Sequence, residues 1–176
     1  MIRFFASAIL FLILITLEFA FVHALPKPWI FAPLVLAWGI YLYQYLGSPI
    51  GAWWIFGLGV FTDFYHLGLV SLETPIFAVA AVLMVFLGQR FFTNRSLYGV
   101  IGNALLVLIL IHAIHTVWFL FKSLQEPLSI PWLSFGWFVL WQIVFLVLLT
   151  SILFFLSRKV RSLLKGLFIV SRRDSL

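Results

Sequence analysis

Four ionisable side chains sit inside otherwise apolar runs: Glu18, Asp63, His112 and His115. An ionisable group within a membrane span costs ~2.5–3.5 kcal/mol even on the lenient insertion scale, so such residues are rare and serve a purpose. His112 and His115 are three residues apart and therefore share one helix face. Two imidazoles at that spacing can be offered to one cation, and carboxylates at the same depth could join them. The same residues can equally form a hydrogen-bonded cluster that orients helices, with Glu18 or Asp63 accepting from an imidazole or from a helix-end N–H. The cluster is the simpler expectation, with no metal and no cofactor. His23 and His66 fall near the same level.

Sequence signatures of catalysis are absent. There is no H-E-x-x-H, no G-x-S-x-G, no P-loop and no dinucleotide-binding G-x-G-x-x-G leading from a strand. With no cysteine there is no thiol nucleophile and no thiolate-bound metal. Asp63 and Glu73 could pair as an intramembrane hydrolase, but Glu73 precedes Pro75 in what reads as a loop, and nothing in the sequence fixes the two together. A non-enzymatic role is expected.

The elements that must position these groups follow from composition. Of 176 residues, 65% are apolar and only 9% charged, and the mean hydropathy is +1.20. A soluble domain needs about a quarter of its residues charged to cover its surface, so a soluble globule is excluded. The apolar runs divide into six expected spans, 4–22, 29–46, 50–64, 75–87, 97–121 and 132–156, joined by short loops. The third and fourth are short for a bilayer core ~30 Å thick. Prolines at 26 and 28 end the first span. Gly47-Ser48-Pro49 makes a turn, with Ser48 as expected N-cap and Pro49 at the first helical position. Arg3 and the Val22-His23-Ala24 segment resemble a signal peptide, but the apolar run is long and contains Glu18, so a retained first helix is expected.

The charge balance of +6 and pI near 10.1 belong to orientation rather than to a nucleic-acid face. With six spans, nine Lys and Arg fall on one side, from Arg3, Arg90 and Arg95 to the tail, and only Lys27 and Lys122 on the other. The positive-inside rule then places both termini in the cytoplasm. The expected organisation is an all-α polytopic bundle over residues 1–157 with a basic cytoplasmic tail over 158–176. Trp29, Trp53, Trp54, Trp118 and Trp132 lie near span ends, as interfacial anchors would.

The most distinctive stretch runs from Gly57-Leu58-Gly59 through Asp63 to Gly68. Gly57 and Gly59 would permit close helix approach, Gly68 could supply a positive φ for the turn back, and a small-residue face follows at Ala78 and Ala81. This stretch, the Phe91-Phe92-Thr93-Asn94 element and the basic tail beginning at Arg158-Lys159-Val160-Arg161 resemble the MreD family of bacterial rod-shape membrane proteins, chiefly through Gly57, Asp63 and Gly68. The resemblance runs from about Trp53 to the tail, and more loosely over the first two helices. It implies a scaffold of the cell-elongation machinery in the bacterial inner membrane. Such a scaffold binds MreC and helps couple MreB filaments to RodA and a penicillin-binding protein during lateral peptidoglycan synthesis. Partner helices would approach at Gly57, Gly59, Ala78 and Ala81. Glu18 and the histidines have no counterpart in that resemblance. In size and helix count the chain is also similar to the substrate-binding S components of energy-coupling-factor transporters, for which the Glu18, Asp63, His112 and His115 level would suit a ligand pocket.

Overall fold

In the computed structural model, which describes residues 2–66, 72–125 and 132–173, all regular structure is helical. Six α-helices follow in order: α1 (Ile2–Thr16), α2 (Leu34–Gln44), α3 (Ile50–Tyr65), α4 (Glu73–Arg90), α5 (Leu97–Gln125) and α6 (Trp132–Arg173). Four segments, Phe5–Ala24, Glu73–Arg90, Leu97–Leu124 and Trp132–Lys159, are long and apolar enough to cross a membrane. The chain is therefore read as a multi-pass membrane protein. One end of the bundle gathers the C-terminal ends of α1, α3 and α5 with the N-terminal ends of α2, α4 and α6. Arg90 and Arg95 lie at the other end.

The structure shifts several sequence expectations. The second span does not begin at Trp29. Residues Trp29–Phe31 form a separate 3-10 turn, and Pro33 stands before α2, which has only 11 residues. At 1.5 Å per residue that is roughly 16 Å, about half a bilayer core. The shortfall is tolerable because α2 lies inside the bundle, in contact with all five other helices. Val35, Ala37 and Ile40 are fully buried, and irregular backbone at membrane depth is allowed where protein rather than lipid surrounds it. The fourth span, in contrast, is a full 18-residue helix starting at Glu73, so Glu73 is helical and not in a loop. Ser48 makes no side-chain cap; its carbonyl takes the N–H of Gly51 at 3.2 Å. The first span is continuous only to Thr16, after which a π-turn (Leu17–Phe21) and a 3-10 turn (Val22–Ala24) carry it on. No helix break separates the bundle from the basic tail, because α6 runs unbroken to Arg173. Gly68 lies outside the described residues.

Close packing falls on Gly39 and Gly51 in addition to the expected Gly57 and Gly59. A Cβ at Gly51 would stand 2.2 Å from the Gly39 carbonyl oxygen, and one at Gly39 would stand 2.9 Å from Ile55, so α2 and α3 touch backbone to backbone there. Gly57 and Gly59 are also occupied internally. A Cβ at Gly57 would meet the Phe11 ring at 2.8 Å, and one at Gly59 would meet the Glu73 carbonyl at 2.8 Å. Neither glycine is open to a partner helix. Trp54 is likewise no interfacial anchor, since it is 4% exposed and donates its indole N–H to Ser7 Oγ at 3.1 Å. Trp29, Trp53 and Trp132 remain exposed.

Overpacking a tight helix contact costs about 1–3 kcal/mol. We expect Gly51→Ala to lower the melting temperature of the purified protein by that equivalent, followed by tryptophan fluorescence. Gly136→Ala should leave it unchanged, because a Cβ at Gly136 meets nothing within 4 Å.

Candidate functional site

The first four N–H groups of any helix have no partner within it, and in an apolar setting each unmet donor costs about 1–3 kcal/mol. Two carboxylates, the buried Glu18 and the partly exposed Asp63, answer that demand for two different helices. Glu18, placed by the π-turn at the end of the first span, accepts the N–H of Val35 at 2.7 Å and lies beside the N–H of Leu34. It thereby caps the buried start of α2. Asp63, in the last turn of α3, accepts the N–H of Glu73 at 3.0 Å through one oxygen and the N–H of Thr74 at 2.8 Å through the other. The Thr74 hydroxyl donates to that second oxygen as well. Pro75 has no N–H to satisfy, and the N–H of Ile76 reaches the Leu72 carbonyl at 3.2 Å. Every donor of the first turn of α4 is thus accounted for.

The charge also suits its place, since the positive end of a helix dipole favours a carboxylate. Each hairpin, α1–α2 and α3–α4, is therefore fastened by an acid at the end of its first helix to the start of its second. Of the sequence alternatives, the helix-end N–H is the observed partner of both acids. Asp63 and Glu73 do not form a carboxylate pair: Asp63 holds backbone N–H groups, and Glu73 Oε1 pairs with His115 Nε2 at 2.9 Å.

Around these caps lies a cavity of about 420 Å³. Glu18, His112 and His115 line it together with His23, His66, Glu73 and Gln142, while Asp63 is not among its lining residues. His115 Nδ1 lies 2.9 Å from the Ile111 carbonyl, so that imidazole is engaged at both nitrogens. His112 differs. It is 8% exposed and packs edge-to-face on Phe138 and Phe135, with ring centroids 5.5 and 6.0 Å away. Neither of its nitrogens makes a hydrogen bond of normal geometry, although the Gln142 amide is alongside. Among the described residues no three His, Asp or Glu side chains converge as a metal site.

At the opposite end a second polar knot joins α2, α4 and α5. Asn103 donates from its amide to Gln44 at 2.9 Å and to the Met84 carbonyl at 3.2 Å, and the Gln44 amide donates to the Phe92 carbonyl. Sequence reasoning passed over Gln44, Asn103, Gln142 and the pairing of Glu73. The available signal was their rarity as amides and acids between apolar neighbours. Ala78 and Ala81 line a separate, lipid-facing groove of about 340 Å³ between α3 and α4, with Ala52, Phe56, Val82 and Val85.

Comparison with protein-family models, with curated proteins and with solved structures finds no match.

Capping predicts an ordered series at one position. Asp63→Ala should cost about 1–3 kcal/mol of unfolding free energy, because two helix-end donors lose their acceptor. Asp63→Asn keeps one acceptor oxygen and should lose less. Unfolding titrations in mild detergent read both, and equal stability of the three proteins would contradict the assignment.

Proposed function

We propose that this chain is a non-enzymatic integral membrane scaffold of the MreD type. In this reading it spans the bacterial inner membrane six times with both termini cytoplasmic, which puts the capped end of the bundle on the outer side. It binds an MreC-type partner and through it the MreB, RodA and penicillin-binding-protein components of the cell-elongation machinery. The observation that carries this reading is the role of Asp63. The segment with the most distinctive sequence uses its carboxylate to fix one helix against another, which is the chemistry of a scaffold and not of a catalyst.

That fixed α3–α4 hairpin displays the small-residue groove of Ala78 and Ala81 on the lipid-facing surface. Helix association in membranes relies on such close approach, because lipid tails are as apolar as leucine and provide no hydrophobic gain. Gly59 contributes by bringing α3 against the start of α4, and Gly57 by seating the Phe11 ring of α1. A transmembrane helix of an MreC-type protein fits the groove, and the basic sequence from Arg158 onward would be drawn to anionic lipid at ~1 kcal/mol per residue.

The test is co-purification with the MreC-type protein of the same cell. Val82 is 70% exposed at the groove, so Val82→Trp would fill it without entering the core. We expect the wild-type chain to retain the partner in mild detergent and Val82→Trp to weaken retention by about tenfold, or ~1.4 kcal/mol, with unchanged melting temperature. Absence of the partner from the wild-type preparation contradicts the proposal. A second reading, the substrate-binding subunit of an energy-coupling-factor transporter, is favoured by one observation, the 420 Å³ cavity. Co-purification of an ATPase and a coupling subunit would support it instead.

A further inference from the structure

The cavity at the capped end contains chemistry that neither capping nor partner docking uses. His112 is its unmatched group. A neutral imidazole carries one donor and one acceptor, and in this side chain, 8% exposed, neither nitrogen makes a hydrogen bond of normal geometry, with the Gln142 amide alongside. An occupant with a polar group of its own would supply what the walls lack.

The rest of the lining selects the occupant's charge. Glu18 and Glu73 lie on the walls, and no lysine or arginine is among the described lining residues. Glu73 is 25% exposed, so its carboxylate stays accessible although one oxygen is held by His115. An anion entering here would face the accessible Glu73 carboxylate, which His115 shares, and no permanent cation, whereas an ammonium would meet that carboxylate. Phenyl groups complete the wall, with Phe135 and Phe138 beside His112 and Phe19 and Phe77 across the lining. Their ring faces attract a cation and pack against an apolar body. The volume, about 420 Å³, lies within the range of small-molecule sites, roughly 300–1,000 Å³.

We propose that this cavity binds a small amphiphilic organic cation, an amine carried on an apolar or aromatic body. The ammonium is held by the acidic lining, the body packs against the phenyl groups, and His112 hydrogen-bonds the ligand's polar part. The inference rests on the cavity alone and is independent of the scaffold reading; loss of MreC-type co-purification would leave it standing.

The test is calorimetric titration of the full chain in lipid nanodiscs with three probes that share one ring system: tryptamine, neutral indole-3-ethanol and anionic indole-3-acetate. We expect saturable one-to-one binding of tryptamine, binding of indole-3-ethanol at least about tenfold weaker, and none of indole-3-acetate. Glu73→Gln and His112→Leu should each weaken tryptamine at least about tenfold. Gln142→Leu, beside His112, provides a third variant should either of those lower the melting temperature. Nanodiscs of phosphatidylglycerol and of phosphatidylethanolamine separate two sources of the amine: equal tryptamine affinity in both assigns a soluble amine, and weaker affinity in the second assigns a lipid headgroup amine. Unsaturable heats with tryptamine overturn the proposal, as does indole-3-acetate binding as tightly as tryptamine. Tryptamine affinity unchanged in every correctly folded variant overturns it too.

Discussion

A helix that starts inside an apolar bundle must find acceptors for its first N–H groups, because neither lipid nor a hydrocarbon core supplies any. This constraint governs the architecture. α2 begins after Pro33 in the interior, and α4 begins at Glu73 beside the end of α3. Each start is met by a carboxylate from the preceding helix, Glu18 in one case and Asp63 in the other. A cap drawn from a different helix also fixes relative position: Asp63 can reach Glu73 and Thr74 only if α3 and α4 hold their register. Glycine contacts then bring neighbouring helices together, with Gly39 against Gly51 between α2 and α3, and Gly59 against the Glu73 carbonyl between α3 and α4.

The caps also account for the polar environment around them. A carboxylate brought inside to serve a helix end is itself costly, and its remaining capacity attracts further polar groups. The Thr74 hydroxyl on Asp63 is one such group. The cavity lies at this end of the bundle, and the amide knot of Gln44 and Asn103 at the other. The middle is held by aliphatic packing, with Ile40, Ile55, Met84, Val107 and Leu146 at the core.

Much of the frame was legible in the sequence because membrane helices declare themselves by long apolar runs: α3, α5 and α6 start at the expected residues, whereas α1 gives way to a π-turn after Thr16 and α6 continues through the basic segment. The shared level of Glu18, His112 and His115 was legible too, since it follows from span order and residue number. The break at Pro33 was not. Pro at residue 33 is compatible with the first turn of a helix, and only the packing of other helices around α2 makes a short buried helix acceptable. Which glycines touch which backbone was equally hidden. Gly57 and Gly59 look the same in sequence as Gly39 and Gly51, and which backbone or side chain each one meets depends on how the helices pack. The Glu73–His115 pair spans 42 residues and depends on the register of α4 against α5, which no local pattern encodes.

The central claim is that Glu18 and Asp63 satisfy helix-end donors of the following helices, and residue-resolved amide hydrogen exchange in a bilayer tests it most directly. In the wild-type protein the amides of Val35 and Thr74 should exchange as slowly as mid-helix amides. Glu18→Ala should accelerate Val35 and leave Thr74 unchanged, and Asp63→Ala should do the reverse. Fast exchange at both amides in the wild-type protein, or rates indifferent to either substitution, would contradict the account.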